Sequence, residues 1–563
     1  MKKGICCLLL IILLGVSIQL TGSYTNWIDS PSILIDNSVL SEVTLSSFIG
    51  GSLADTVDCV VADDLNNIYI AGRTRSNNIP SDGNLGFEYS GMNDYYVMKL
   101  SSTREIVYTT YIGADGYDGS PVIDPLSACS IDVDNLGRVY MTGTTDSYNF
   151  PVVNAWEEEH QGFGDCFALR LSPTGNSIEY STFLGGYDDL DVGTAIKVDD
   201  SYNAFICGWT RSSTFPTLQA HDYNLGGNSD VFLLKLSSSG QLVFSTYVGG
   251  SDRESTLGGS SLALDNENNA YIIGSTSSPD LPITNYAIPY NDPSDLFFWK
   301  VDSQGNFLTG SYYGGTLTDE VGGIAVDDQG HIYLTGLAGG DISLDYSIGP
   351  NPQAFVAKFE NWGSLIHSTG FGGTEINRPL GLVIDEEDCP WVTGYSYASD
   401  FPLEDPIEDS YDGLGDCFIL KLSSYGDRLL FSSYLGGSQE EMGFAVAATH
   451  FGRVFVGGVT NSSDFLCVNP LIATNLDLDG FIVEFEDIWE DTPPPTTSTT
   501  TTNTIPTTTT TTTTSPSQTS GSTTPPFPDN PNTLVSLDTL LTIGLCLELV
   551  VLSNMVLFIK KQQ

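Results

Sequence analysis

Apolar residues in this chain come in short runs, separated by polar turns at a regular spacing. The stretch Val231–Gly250, VFLLKLSSSGQLVFSTYVGG, shows the unit: two apolar runs, a tight polar turn between them, and a closing Gly-Gly corner. Copies of the corner fall at Gly50-Gly51, Gly113, Gly185-Gly186, Gly249-Gly250, Gly314-Gly315, Gly372-Gly373 and Gly436-Gly437, at intervals of 58 to 72 residues. Each copy contains four strand-like pieces. A small-apolar strand such as Gly323–Val326 follows the corner and an acidic loop, and the turn Asp327–Gly330 leads to a second strand, Ile332–Thr335. A longer loop follows, often with Phe-Pro or Leu-Pro (Phe150-Pro151, Phe215-Pro216, Leu281-Pro282, Phe401-Pro402). The third strand is a D-x-F-x-x-K-L piece and the fourth runs into the next corner. No amphipathic helical window competes, so the pattern predicts an all-β chain.

Many runs are apolar on successive residues, as in Val231-Phe232-Leu233-Leu234. Strands covered on both faces read this way. Four-stranded sheets packed face to face in a ring cover both faces and leave only short, protected edges. Second-strand pieces begin at Ile68, Val139, Ala204, Ala270, Ile332, Trp391 and Val454, which predicts a seven-bladed β-propeller. The first copy opens with a lone fourth-strand piece, Leu45–Ile49, and the last stops after its third, Phe481–Phe485. The N-terminal strand is therefore expected to complete blade seven and hide its edge.

The strings F/Y-S-T-Y-L/V-G-G, A-V-D-x-x-G, Y-x-T-G-x-T and D-x-F-x-x-K-L resemble the SBBP family of seven-bladed propeller repeats over about Thr44–Glu486. Copy five departs from the pattern, with Gln353-Ala354 for Asp-x and no Phe-Pro loop. Copy seven has Ala447-Ala448-Thr449 in its turn. The resemblance implies a secreted or cell-surface setting and a fold, and it does not imply an activity.

Composition adds a location. Residues 1–23 carry two lysines, an apolar run and a small-residue exit, the pattern of a secretory signal peptide. A lead-in covers 24–43 and the propeller 44–491. Residues 492–533 form a Thr/Pro-rich stalk that cannot bury a core and is expected to be disordered. Within 534–563, Thr539–Ile559 is about 21 residues long, about 31 Å as a helix, and suits one transmembrane helix. Lys560-Lys561 then place a short tail in the cytoplasm. The expected protein is single-pass, with its propeller outside the cell. Asn461-Ser462-Ser463 is the propeller's only N-glycosylation sequon.

A net charge of −50, from 70 acidic and 20 basic residues, argues against nucleic-acid binding. Seven of the ten cysteines lie in the exported part, between the signal segment and the transmembrane span, with no C-x-x-C spacing, so neither a disulfide framework nor a zinc site is signalled. Cys166 and Cys417 share one repeat position and read as small buried apolar residues.

In an up-and-down blade the long second-to-third and fourth-to-first loops share one side, where binding sites usually sit. Asp189, Asp191, Asp252, Glu254, Asp319 and Glu320 in the fourth-to-first loops are candidate cation ligands, with Ca²⁺ the candidate ion because hard oxygens suit it. No EF-hand spacing supports them, and no other cofactor is indicated. The Asp before each third strand reads as a turn cap. Tyr117, Tyr187, Tyr223 and Tyr290 are candidate sugar-stacking groups. No catalytic motif occurs, so no catalytic residue is assigned. The expected function is binding of an extracellular glycan, envelope component, surface protein or other cell through the loop side. The alternatives are a polysaccharide- or peptide-acting enzyme at the channel mouth, or a structural envelope protein.

Overall fold

The computed structural model describes residues 43–81, 87–119, 129–284, 288–291, 293–475 and 477–486. The expected signal peptide, stalk and transmembrane span lie outside these residues. Among the described residues no helix is long and apolar enough to cross a membrane.

Seven antiparallel sheets follow one another along the chain, each built in the order the repeat predicts. In the third, Asp191–Val198 pairs with Ala204–Thr210, which pairs with Asp230–Leu236, which pairs with Leu242–Val248. All seven residues of Asp230–Leu236 are buried, because neighbouring sheets cover both faces. Seven clusters of buried side chains fill the spaces between sheets. One joins Phe205, Val231, Leu233 and Phe244 of blade three to Leu262, Ile272, Phe297 and Trp299 of blade four. Cys166 and Cys417 are fully buried in third strands, in the apolar role expected of them.

Blade seven closes the ring. Asp479–Glu486 lies between Arg453–Thr460 of its own repeat and Val43–Ile49 from the start of the chain. Phe48 opposes Phe481, and its ring also packs near Phe465, 6.1 Å between centroids.

The turn side carries a repeated charge device. Third-strand Lys235 stands over the Phe205 ring and pairs with Asp199 at 2.9 Å. Lys300, Lys358 and Lys421 do the same with Asp265, Asp327 and Asp385. Burial alone would raise the Asp199 carboxyl, but hydrogen bonds from Asn203 and Lys235 outweigh it and hold it below the usual range. A carboxyl lowered in this way adds stability above its unfolded pKa, which is lost as pH falls through its folded one. Lys235→Met is therefore expected to cost about 2 kcal/mol at pH 7. The difference should narrow below about pH 3 in thermal unfolding. An equal loss at both pH values would refute the charge argument.

Blade seven inverts the device, with Glu484 standing where the lysine should be. Arg104, from the third-to-fourth turn of blade one, reaches it at 2.7 Å and lies over the Phe455 ring. The reversed charge thus joins the last blade to the first.

Two features depart from the repeat. In blade four the first strand is split into Glu254–Ser255 and Leu262–Leu264. The intervening residues loop toward the axis, where Gly259 donates to the Thr194 carbonyl and approaches the Asp58 carbonyl of blade one. Blade five gains a fifth strand, Tyr346–Ile348, parallel to Leu365–Phe371.

Candidate functional site

The expected cation ligands fall into two groups. Asp191, Glu254 and Asp319 are buried, while Asp252 is exposed and Asp189 and Glu320 are partly so. The buried group braces the corners. Glu254 accepts the Gly250 N–H at 2.9 Å and the Thr276 hydroxyl at 2.6 Å. Asp191 accepts the Gly186 N–H at 2.8 Å and the Thr210 hydroxyl, and Asp319 accepts from Gly315 and Gly339. Of the surface group, Glu320 pairs with Arg378 at 2.7 Å, and Asp189 accepts the N–H of Leu190. The six residues do not converge on one point.

Among the described residues, one group brings three donor atoms of metal-ligating type together: Asp385, Glu387 and Cys389. It lies on the turn side, where Lys421 sits 3.0 Å from Asp385. That ammonium already supplies the positive charge a metal ion would bring.

The loop side is richest in exposed rings over blades two and three. Tyr148 is 77%, Phe163 80% and Tyr187 71% exposed, and Tyr223 is also exposed. The Tyr148 ring lies 4.5 Å from His160. Phe163 follows Gly162, whose φ of +70° turns the loop onto the 186–190 segment, and its N–H donates to the Asp189 carbonyl at 3.5 Å. Tyr187 is fixed through its N–H to Thr214 Oγ1, at 2.8 Å. Beside it the Asp188 carboxylate accepts the hydroxyls of Ser212, Ser213 and Thr214, which hold it well below the usual range. It therefore stays charged as an acceptor.

Crevices flank this sector. One of about 310 Å³ lies between blades one and two, lined by Phe87, Glu88, Tyr111, Asp115 and Asn149. Another of about 390 Å³ lies between blades three and four, with His221, Asp222, Ser251 and Asp280. Tyr117 is partly exposed, and Tyr290 turns its hydroxyl to the Ser277 and Pro293 carbonyls. Tyr148 and Phe163 were not singled out in the sequence; the long blade-two loop that holds them was the available signal.

The axis holds a third cavity, of about 240 Å³, lined by first-strand segments of all seven blades. Most of its lining residues are of apolar type, but polar atoms face the space, and Asp132 and Lys197 stand 3.9 Å apart. Asn461, the sequon residue, is exposed beside the blade-seven corner.

Two segments, residues 107–151 and 243–282, match the family described as SBBP, Beta-propeller repeat. No curated protein matches the chain. Among solved structures, it is similar to a protein of unknown function from Dyadobacter fermentans DSM 18053. Identity is 10% over 64% of this chain and 94% of that one, with a TM-score of 0.35. An ulvan lyase, described as a new polysaccharide lyase family, is 10% identical over 74% and 92%, with a TM-score of 0.41. The phage phi92 endosialidase is 9% identical over 81% and 70%, with a TM-score of 0.36.

Proposed function

We propose that this chain, a seven-bladed propeller carrying the SBBP beta-propeller repeat, is a membrane-anchored surface protein that binds an uncharged extracellular glycan. The exposed rings of Tyr148, Phe163 and Tyr187, with the Asp188 carboxylate next to Tyr187, support this reading. Aromatic faces stack on the apolar faces of sugar rings, and a fixed carboxylate accepts their hydroxyls. A net charge of −50 disfavours sulfated or uronic chains, so the fit is to neutral ones. In this reading the apolar segment Thr539–Ile559 anchors the protein in the membrane.

Full-length protein in detergent is expected to bind neutral glycans on an array in preference to acidic ones. Changing Tyr148, Phe163 and Tyr187 together to alanine should weaken binding more than tenfold, at roughly 1 kcal/mol per ring. Thermal stability should change little, because the three rings are exposed. Undiminished binding in the triple variant would remove the proposal.

A further inference from the structure

At six of the seven corners, Gly50 with Asp55 and Asp479 included, the bracing acid has a second acid beside it. At Gly113 an added Cβ would meet Asp94 Oδ1 at 2.6 Å and Asp118 Oδ2 at 2.8 Å. Asp165 and Asp191 crowd Gly185 in the same way, and Asp295 and Asp319 crowd Gly314. Asp230 lies against Gly249 and Asp416 against Gly436, the corners braced by Glu254 and Glu441. The ten acids at these last five corners are at most 1% exposed, and none forms an ion pair with lysine or arginine among the described residues.

The hydrogen bonds within each pair are unequal. Asp118 accepts from the Ala114 N–H at 2.6 Å, the Ser147 hydroxyl at 3.0 Å and the Thr145 hydroxyl. Asp94 accepts the Ser90 N–H at 2.7 Å on Oδ2, while its buried Oδ1, turned to the corner, has no partner. Asp165, Asp230, Asp295 and Asp416 each show the same unpartnered Oδ1. Two adjacent carboxylates cannot both stay ionised in a dry site. An oxygen that lacks a donor and faces a carboxylate is placed to carry a hydrogen. The corner backbone fills the space beside both groups, which leaves no room for a cation with six to eight ligands.

The blade-five to blade-six corner supplies an internal comparison. There the two positions are Gln353 and Asn377, both neutral. Asn377 still accepts a serine hydroxyl, that of Ser396 at 2.7 Å, and donates to the Gly373 and Glu375 carbonyls. Both acids have been replaced together.

We propose that the five pairs Asp94–Asp118, Asp165–Asp191, Asp230–Glu254, Asp295–Asp319 and Asp416–Glu441 each bind one proton between their two carboxyls, and that losing these protons loosens the blades. The unpartnered Oδ1 places the proton on the third-strand aspartate, donated to the corner carboxylate, although burial raises the corner acids as well, Asp191 to about 8. Burial pushes the five third-strand aspartates up to about 7. Around Asp165–Asp191 the titratable neighbours are Glu157, Asp188, Cys166 and Tyr247, none of which is a permanent cation. Elsewhere Asp146, Asp222 and Asp412 add further negative charge, and Glu408, pushed up to about 8 by burial, faces Asp416. A carboxyl raised on folding adds stability below its unfolded pKa of about 4, and that stability is lost as pH rises through about 7.

The test is thermal unfolding of the full chain in detergent with EDTA, followed by near-ultraviolet circular dichroism from pH 5 to 8.5. The wild-type midpoint should fall by at least about 5 °C as pH rises. Asp→Asn at positions 94, 165, 230, 295 and 416 together should make the profile shallower, with the Asp55–Asp479 corner left intact, and raise the midpoint at pH 8.5. The single D165N protein should gain at pH 8.5 and not at pH 5, which keeps the test open if the fivefold variant does not fold. Converting Gln353 and Asn377 together to aspartate should steepen the profile. A flat wild-type profile, or equal loss in D165N at both pH values, would overturn the proposal. So would a midpoint at pH 8.5 that calcium raises in wild type and not in the fivefold variant, since a cation would then fill the pairs.

Discussion

Asp58→Ala is expected to destabilise the propeller by about 3–5 kcal/mol, the cost of leaving one member of a buried ion pair alone. Asp58 takes the Arg73 guanidinium on both oxygens, Nε at 2.8 Å and the second nitrogen at 3.1 Å. Their side chains are 0% and 3% exposed, so the stranded guanidinium could not rehydrate without opening blade one. The pair also borders blade two, where the Cys129 N–H approaches Asp58 at 3.4 Å. Denaturant unfolding of wild type, Asp58→Ala and the double variant Asp58→Ala/Arg73→Met measures the effect. The double variant should recover part of the loss, because an apolar pair needs no counter-charge. A loss below about 1 kcal/mol in the single variant would mean that water already reaches the pair.

Phe48→Ala should have an effect of similar size, with a different distribution. The ring is 1% exposed, and its removal leaves a cavity worth about 3–5 kcal/mol. The lost contacts, to Phe465 and Phe481, hold the N-terminal strand on blade seven. Hydrogen exchange in the Phe48→Ala protein should therefore quicken first in Asp479–Glu486 and Val43–Ile49. Phe244→Ala removes a ring of the same type, equally buried, from blade three. It should cost a comparable amount without singling out blade seven. Indistinguishable exchange patterns in the two variants would mean that the closing strand is not a separable element.

The corners, strand periods and ring closure could be read in the sequence because each is a local pattern repeated many times. Blade seven's closure was visible as a surplus fourth strand at one end and a missing one at the other. The blade-four excursion was hidden, because Thr256–Ser260 would be an ordinary loop if it did not cross to Thr194. Strand Tyr346–Ile348 was hidden for a similar reason: its partner, Leu365–Phe371, follows the third strand and is reached only through the tertiary fold. The aspartate before each third strand was read as a turn cap, which describes one of its oxygens correctly. The other oxygen meets a corner acid about 24–26 residues away, and no local pattern reports that distance. Tyr148 and Phe163 were missed because exposure is a property of the folded surface.

The way the ring closes also governs how it bears load. Asp479–Glu486 is an inner strand, hydrogen-bonded along one edge to Arg453–Thr460 and along the other to Val43–Ile49. A pull on the chain beyond Glu486 acts along that strand and stresses both ladders in shear, so many hydrogen bonds must give way together. An edge strand pulled outward would instead peel one bond at a time. The propeller thus meets tension through its most doubly gripped segment.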